Sequence, residues 1–191
     1  MKQKKLRLFG LLLAAVMLFS CLPVQALAAE GGWFYLAADW NGTLLIAPER
    51  ISYTADQTLY EALNASGHSF GPDENSVTQI DGKTGNFIRS DETGSHDLTR
   101  NAAQAGIRYL CFTDRLTAQP SDAMQSLIAA MADYRLEEPD VQLAAKVAYN
   151  AACAGYVTAD DNAALSLYTA LHNAVEQYKQ TLDGPKYNVT F

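Results

Sequence analysis

Basic residues are scarce in most of this chain. The 191 residues include 14 lysines and arginines and 21 aspartates and glutamates, and four of the basic residues precede the first acidic one, Glu30. Residues 29–191 therefore hold 10 basic and 21 acidic residues, a net charge of −11. A protein that binds phosphate backbones needs a basic face, so we expect no nucleic-acid partner.

Long apolar runs are missing too. The longest, residues 8–19, has about half of the roughly 20 residues needed to cross a bilayer. It follows the basic N-terminus and precedes Ala26-Leu27-Ala28, a pattern that signal peptidase cleaves. Residues 1–28 are therefore predicted to be a signal peptide. The mature protein is predicted to be secreted or exposed at the cell surface, without a transmembrane segment.

A different processing route is open at Cys21. Residues 18–21, Leu-Phe-Ser-Cys, resemble a bacterial lipobox, in which the cysteine is lipidated and becomes the N-terminus. Phe19 is bulky for that motif, and the Ala-x-Ala site lies nearby, so cleavage after Ala28 is favoured. Lipidation of Cys21 is the alternative.

Only two cysteines, Cys111 and Cys153, follow the predicted leader. In an exported protein they either form one disulfide, which closes a loop of about 40 residues, or stay as two buried thiols. Cys111 lies in a strand-like apolar run and Cys153 on an alanine-rich helix face, and both positions favour buried free thiols. Their spacing excludes a CxxC redox or zinc site.

Motifs for common enzyme chemistries are absent. The sequence has no G-x-S-x-G, H-E-x-x-H, P-loop or G-x-G-x-x-G pattern. His68, His96 and His172 are predicted to be isolated residues, and none of them is spaced to share a metal ion with another. The acidic loop at residues 90–97 fits no standard calcium loop and is expected to be a solvated turn. We therefore predict no catalytic residues, no metal and no cofactor.

The segment from residue 32 to residue 116 predicts a small α+β domain. Asn-Gly at 41–42, between two β-prone segments, is the strongest short-range signal for a hairpin. A capping box at 58–61 begins a short helix. Residues 77–89 predict a second hairpin, and residues 107–112 predict a buried strand.

Helical spacing replaces strand-like alternation in the next segment. Apolar residues recur every three or four positions in three stretches, which begin after Ser121, at Pro139 and after Thr158. Residues 120–184 are therefore predicted to form an antiparallel three-helix bundle. The final residues, 185–191, alternate like a strand. They are predicted either to pair with the sheet of the first domain or to begin a further domain, and the linker-like Gly184-Pro185 favours the second.

Aromatic residues of the first hairpin are the candidate ligand-binding residues. Trp33 and Tyr35 share one face of the predicted first strand, and Trp40 lies at its end. Exposed rings beside acidic and amide groups suit a glycan or an extracellular protein as ligand. The alternative is that these rings close the core of the sheet, as a domain of this size requires.

Two stretches resemble known modules of secreted proteins. Residues 56–63, DQTLYEAL, and 77–82, VTQIDG, resemble a helix and a strand of the β-grasp module at the carboxy terminus of transcobalamin-like proteins, which also recurs in large secreted proteins of Gram-positive bacteria. The Trp-containing strand and the Val-Asn-Gly hairpin of that family have no counterpart here, so cobalamin binding is not implied. Residues 163–182 resemble the spacer-type three-helix repeats of bacterial surface proteins. The resemblances imply an α+β chain: a β-grasp-like sheet with one short helix, then a three-helix bundle.

Together these features predict an exported, non-enzymatic binding or spacer module of a larger cell-surface protein. Two alternatives remain open. One is an accessory region of a secreted hydrolase that acts on glycans or peptidoglycan. The other is a substrate-binding lipoprotein anchored through Cys21.

Overall fold

The computed structural model describes residues 31–94, 97–114, 120–137 and 143–182. The predicted signal peptide with Cys21, the predicted tail at 185–191 and most of the predicted boundary at 116–120 lie outside these ranges. The described chain is mixed α+β. None of its helices combines the length and the apolar character needed to span a membrane.

An Asn-Gly turn forms the first hairpin. Strands β1 (Gly32–Trp40) and β2 (Thr43–Tyr53) pair antiparallel on either side of Asn41 and Gly42. Both turn residues have positive φ, 50° and 73°, a conformation that asparagine and glycine tolerate better than other residues. The predicted hairpin is confirmed.

A capping box begins the first helix, as predicted. Helix α1 (Leu59–Ala65) follows Thr58, whose hydroxyl accepts a hydrogen bond from the Glu61 amide at 3.1 Å. In return, the Glu61 carboxylate accepts a hydrogen bond from the Thr58 amide at 2.8 Å. Ala62 and Leu63 on the buried side of the helix pack into the core beneath the first hairpin.

A small antiparallel sheet follows α1. It consists of β3 (Phe70–Asp73), β4 (Ser76–Ile80) and β5 (Lys83–Thr84). The hairpin predicted at 77–89 is wrong in its second strand, because β4 turns at Asp81-Gly82 and pairs with the two-residue β5. The later part of that segment joins the larger sheet instead.

Two later strands complete the larger sheet. They are β6 (Ile88–Ser90) and, after the short helix α2 (Ala102–Ala105), β7 (Tyr109–Thr113), and the strand order is β2-β1-β7-β6. Strand β7 runs parallel to β1, with Tyr109 beside Tyr35, whereas the other two pairs are antiparallel. The predicted buried strand at 107–112 is confirmed, with its start two residues later.

Three longer helices follow the sheet. They are α3 (Asp122–Glu137), α4 (Leu143–Gly155) and, after a 3-10 turn at Tyr156–Thr158, α5 (Asp161–Leu182). Helix α5 packs against α3 and α4, and α3 also packs against β2. The prediction that Thr158 caps the last helix is wrong. Because Thr158 lies in the 3-10 turn, Asp160 instead accepts the hydrogen bond from the Ala163 amide, at 2.8 Å.

The two central strands are buried on both faces. Their residues alternate between two hydrophobic cores, as the side chains of a strand do. Phe34 and Leu36 of β1 enter the first core with α1 and the small sheet. Ala37 of β1 and Cys111 of β7 enter the second core with Leu127 of α3. The described residues between 31 and 182 belong to one compact unit.

Small side chains let the helices approach the sheet closely, and a larger side chain at Ala37 would test this contact. It is 1% exposed and lies in the second core. We expect Ala37→Leu to lower the free energy of unfolding by about 1 to 3 kcal/mol, because added methylenes strain a packed core. The same change at the exposed Ala144 of α4 should cost less than about 0.5 kcal/mol. Urea unfolding followed by circular dichroism measures both, and equal losses would contradict the close sheet–helix contact.

Candidate functional site

Four side chains from three elements meet at the helix-covered face of the larger sheet. We call Trp33 and Tyr35 of β1, Arg50 of β2 and Asp133 of α3 the aromatic–arginine cluster. The Trp33 and Tyr35 rings meet edge to face, with centroids 4.9 Å apart. The guanidinium carbon of Arg50 lies 4.1 Å from the Trp33 ring centre and 5.9 Å from that of Tyr35. A cation above an aromatic ring is attracted by the ring quadrupole, so Arg50 holds the indole in place.

Strand register brings the cluster together. Tyr35 and Arg50 lie directly opposite each other in the β1–β2 pairing, and Trp33 shares the face of Tyr35. Asp133 anchors both partners, because its Oδ1 lies 2.9 Å from Arg50 Nη2 and accepts a hydrogen bond from the Tyr35 hydroxyl at 3.3 Å. Trp33 remains 43% exposed. The cluster therefore presents an indole at the surface on a fixed support.

The polar atoms of the cluster suit binding better than catalysis. Arg50 Nε is buried and has no hydrogen-bond partner among the described residues. Burial and the Asp133 carboxylate raise the pKa of Tyr35, so its hydroxyl keeps its proton at neutral pH. The arrangement offers an aromatic surface and fixed hydrogen-bonding groups, but no activated nucleophile.

The third predicted aromatic residue, Trp40, lies elsewhere. It is seven residues from Trp33 along β1, a distance of about 23 Å in an extended strand. Its half-buried indole packs against the first core and over Gly85, where an added Cβ would lie 2.1 Å from Nε1. The structure thus brings Trp33 and Tyr35 together and leaves Trp40 out of the cluster.

Helix α3 separates two clefts, and both are lined in part by residues of the cluster. The first lies between α3 and α5, has a volume of about 320 Å³, and includes Arg50 and Asp133 in its lining. The second lies between α3 and the sheet and has a volume of about 340 Å³. We call it the sheet–α3 cleft. Its lining includes Tyr35, Arg108, Tyr109, Asp122, Gln125 and Ser126.

The prediction that His68 is an isolated residue is wrong. Its Nε2 lies 2.7 Å from Glu49 Oε1 and its Nδ1 lies 2.6 Å from Asp81 Oδ2. The other oxygen of Glu49 lies 2.8 Å from Arg135 Nη1. Burial tends to raise the pKa of Asp81, but hydrogen bonds from the Ser69 amide and His68 outweigh burial and lower it. Because these partners are distant in sequence, no local pattern indicates this chain of contacts.

Of the other two histidines, only His172 lies in the described part of the chain. His96 lies outside the described residues, and His172 stacks on Tyr168 with ring centroids 5.5 Å apart. Across the described ranges, no group of three or more histidine, cysteine, aspartate or glutamate side chains is arranged to hold a metal ion.

The acidic loop is not a solvated turn throughout. Asp91 is 1% exposed, and its Oδ2 lies 2.8 Å from Arg100 Nη2. Glu92 accepts hydrogen bonds from the backbone amides of Arg108 and Tyr109, where β7 begins. Two carboxylates of the loop therefore hold neighbouring backbone and arginine groups, which corrects the expectation of a solvated turn.

Both cysteines of the described chain are free thiols. Cys111 is buried in the second core, and burial raises its pKa to about 12. Burial also raises the pKa of Cys153. Activated, nucleophilic thiols have lowered pKa values, and the shifts at both cysteines go the opposite way.

No family model, curated protein or solved structure matches this chain.

The raised thiol pKa predicts that the protein loses stability in alkali. An unfolded cysteine has a pKa near about 8.5, so the unfolded chain loses this proton before native Cys111 does. The contribution to stability is complete below that pH and is lost as the pH rises toward about 12, the native pKa of Cys111. We expect the free energy of unfolding to fall above pH ~8.5, with a slope for this group approaching about 1.4 kcal/mol per pH unit. Urea unfolding at several pH values measures the slope. An unchanged slope in Cys111→Ala would contradict this assignment.

Proposed function

We propose that this chain is an exported, non-enzymatic module that binds an extracellular partner through the aromatic–arginine cluster. The observation that carries the proposal is the exposure of Trp33. Among the Trp, Tyr and Phe side chains in the described ranges, only Trp33 is exposed. A large ring fixed at the surface by Arg50 and Tyr35 offers contact area at little cost in conformational entropy.

We also propose a finer description of the fold. A sheet with two parallel central strands, an antiparallel strand on each side and helix α1 packed on one face supports a β-grasp-like arrangement. The mutual packing of α3, α4 and α5 supports a three-helix module laid on the other face. Both agree with the resemblance to modules of Gram-positive surface proteins.

Export is the part of the proposal that a single mass measurement tests. Expression of the full chain in a Gram-positive host should give an exported protein that begins near Ala29 and carries no lipid. Without reductant, Cys111 and Cys153 should each take up one alkylating group after unfolding. A diacylglyceryl adduct on Cys21 would contradict signal-peptidase cleavage and favour the lipoprotein alternative. Retention of residues 1–28 on protein inside the cell would contradict export.

Binding is tested by removing the exposed ring. We expect the exported protein to sediment with isolated Gram-positive cell walls, and Trp33→Ala to weaken that binding at least tenfold, because central aromatic residues dominate binding energy. The free energy of unfolding of the Trp33→Ala variant should be lower by less than about 1 kcal/mol, since the ring is half-exposed. Leu165→Ala is the matched control, because Leu165 is a 52% exposed apolar residue outside the cluster. Absence of wall binding, or equal binding by both variants, would favour a spacer role over binding.

A further inference from the structure

A residue that lines the sheet–α3 cleft carries a buried hydroxyl that has no hydrogen-bond partner in the described part of the chain. Tyr109 lines the cleft and is only 2% exposed, and its hydroxyl has no hydrogen bond among the described residues. A buried polar group without a partner destabilises the protein unless water or a ligand satisfies it. Burial and the Glu92 carboxylate raise the pKa of Tyr109 to about 12, so the hydroxyl both donates and accepts hydrogen bonds at neutral pH.

The other polar groups of the cleft also include both donors and acceptors. Arg108 is 74% exposed and donates from Nη2 to Gln125 Oε1 at 3.3 Å. Gln125 Nε2 donates to the Pro120 carbonyl at 2.9 Å and keeps a second N–H for another acceptor. Asp122 contributes a carboxylate to the lining, whereas Arg108 is paired with Glu92, with Nε 3.3 Å from Oε1. The cleft therefore has no excess positive charge with which to select an anionic ligand.

The shape and place of the cleft restrict the ligand further. A volume of about 340 Å³ is at the small end of the range for ligand sites, which is about 300 to 1,000 Å³. The cleft adjoins β1 and β7, the central strands of the sheet, so no open strand edge is available there for a peptide to pair with. Tyr35, which also lines the cleft, contacts the exposed Trp33 ring 4.9 Å away.

We infer that the sheet–α3 cleft binds one uncharged, hydroxyl-rich sugar ring of an extracellular glycan, with Trp33 carrying the next part of the chain. Sugar hydroxyls donate and accept at once, so they satisfy Tyr109, Gln125 and Asp122 together. The apolar faces of sugar rings suit the Tyr35 and Trp33 rings. The inference deepens the proposed binding function and rests on it, since it names the ligand class and a second set of contacts.

The test is titration of the exported protein with defined oligosaccharides, measured by calorimetry and by NMR. The probes are a neutral N-acetylglucosamine tetramer, a neutral β-1,4-linked glucose tetramer and an acidic galacturonate tetramer. We expect a neutral tetramer to bind and the acidic one to bind more weakly.

Two variants examine the cleft itself. Tyr109→Phe removes one hydroxyl and should weaken sugar binding about 3- to 10-fold, while thermal stability without sugar stays the same or rises. Ser90→Ala is its control, because the Ser90 hydroxyl is also buried without a partner among the described residues but lies outside the cleft. Ala129 of α3 also lines the cleft, so Ala129→Leu should fill it and weaken binding at least tenfold. Ala144→Leu, at an exposed position of α4, should not weaken binding.

Each result separates this inference from the proposed function. Sugar binding that depends on Trp33 but not on Tyr109 or Ala129 would overturn the cleft as a sugar site and leave the cluster as the binding surface. Wall binding without affinity for any tetramer, or with affinity for a wall peptide instead, would overturn the sugar assignment alone. A loss of stability in Tyr109→Phe with unchanged sugar affinity would show that a water molecule satisfies the hydroxyl, and would also overturn it.

Discussion

The parallel pairing of β1 with β7 at the centre of the sheet is the constraint on which the fold depends. Parallel strands are stable when both faces of the sheet are covered, and in this protein the alternate residues of both strands point into separate cores. Helix α1 and the small sheet cover one face, and the long helices cover the other. The helical segment therefore does more than follow the sheet in the chain, because it buries Ala37, Tyr109 and Cys111.

The candidate site lies where the helices stop covering the sheet. Residues 34–38 of β1 are buried or half-buried, but Trp33, near the beginning of the strand, is half-exposed. Asp133 of α3 reaches Arg50 and Tyr35 at that boundary and fixes the exposed ring. The proposed binding surface is thus part of the sheet–helix contact rather than of a loop, which gives it a rigid base.

Sequence patterns predicted the local structure and missed the geometry of the site. The Asn41-Gly42 turn and the Thr58 capping box were recognisable because every group involved lies within four residues. The cross-strand partner of Tyr35 was not recognisable from the sequence. Regular pairing from the turn places Pro48 opposite Tyr35, but register shifts between residues 36 and 39 move the pairing by two, so Arg50 takes that place. A single sequence does not reliably indicate where such bulges occur. It also does not indicate which residues of either strand contact α3.

The contact between Trp40 and Gly85 has a consequence for the history of the sequence. An indole placed over a backbone that lacks a side chain makes the two positions depend on each other, since any Cβ at residue 85 would collide with the ring. A side chain at residue 85 requires the indole to move or residue 40 to become smaller. Relatives of this chain are therefore expected to exchange these two residues as a pair, and this joint variation would identify distant members of its lineage when overall similarity has faded.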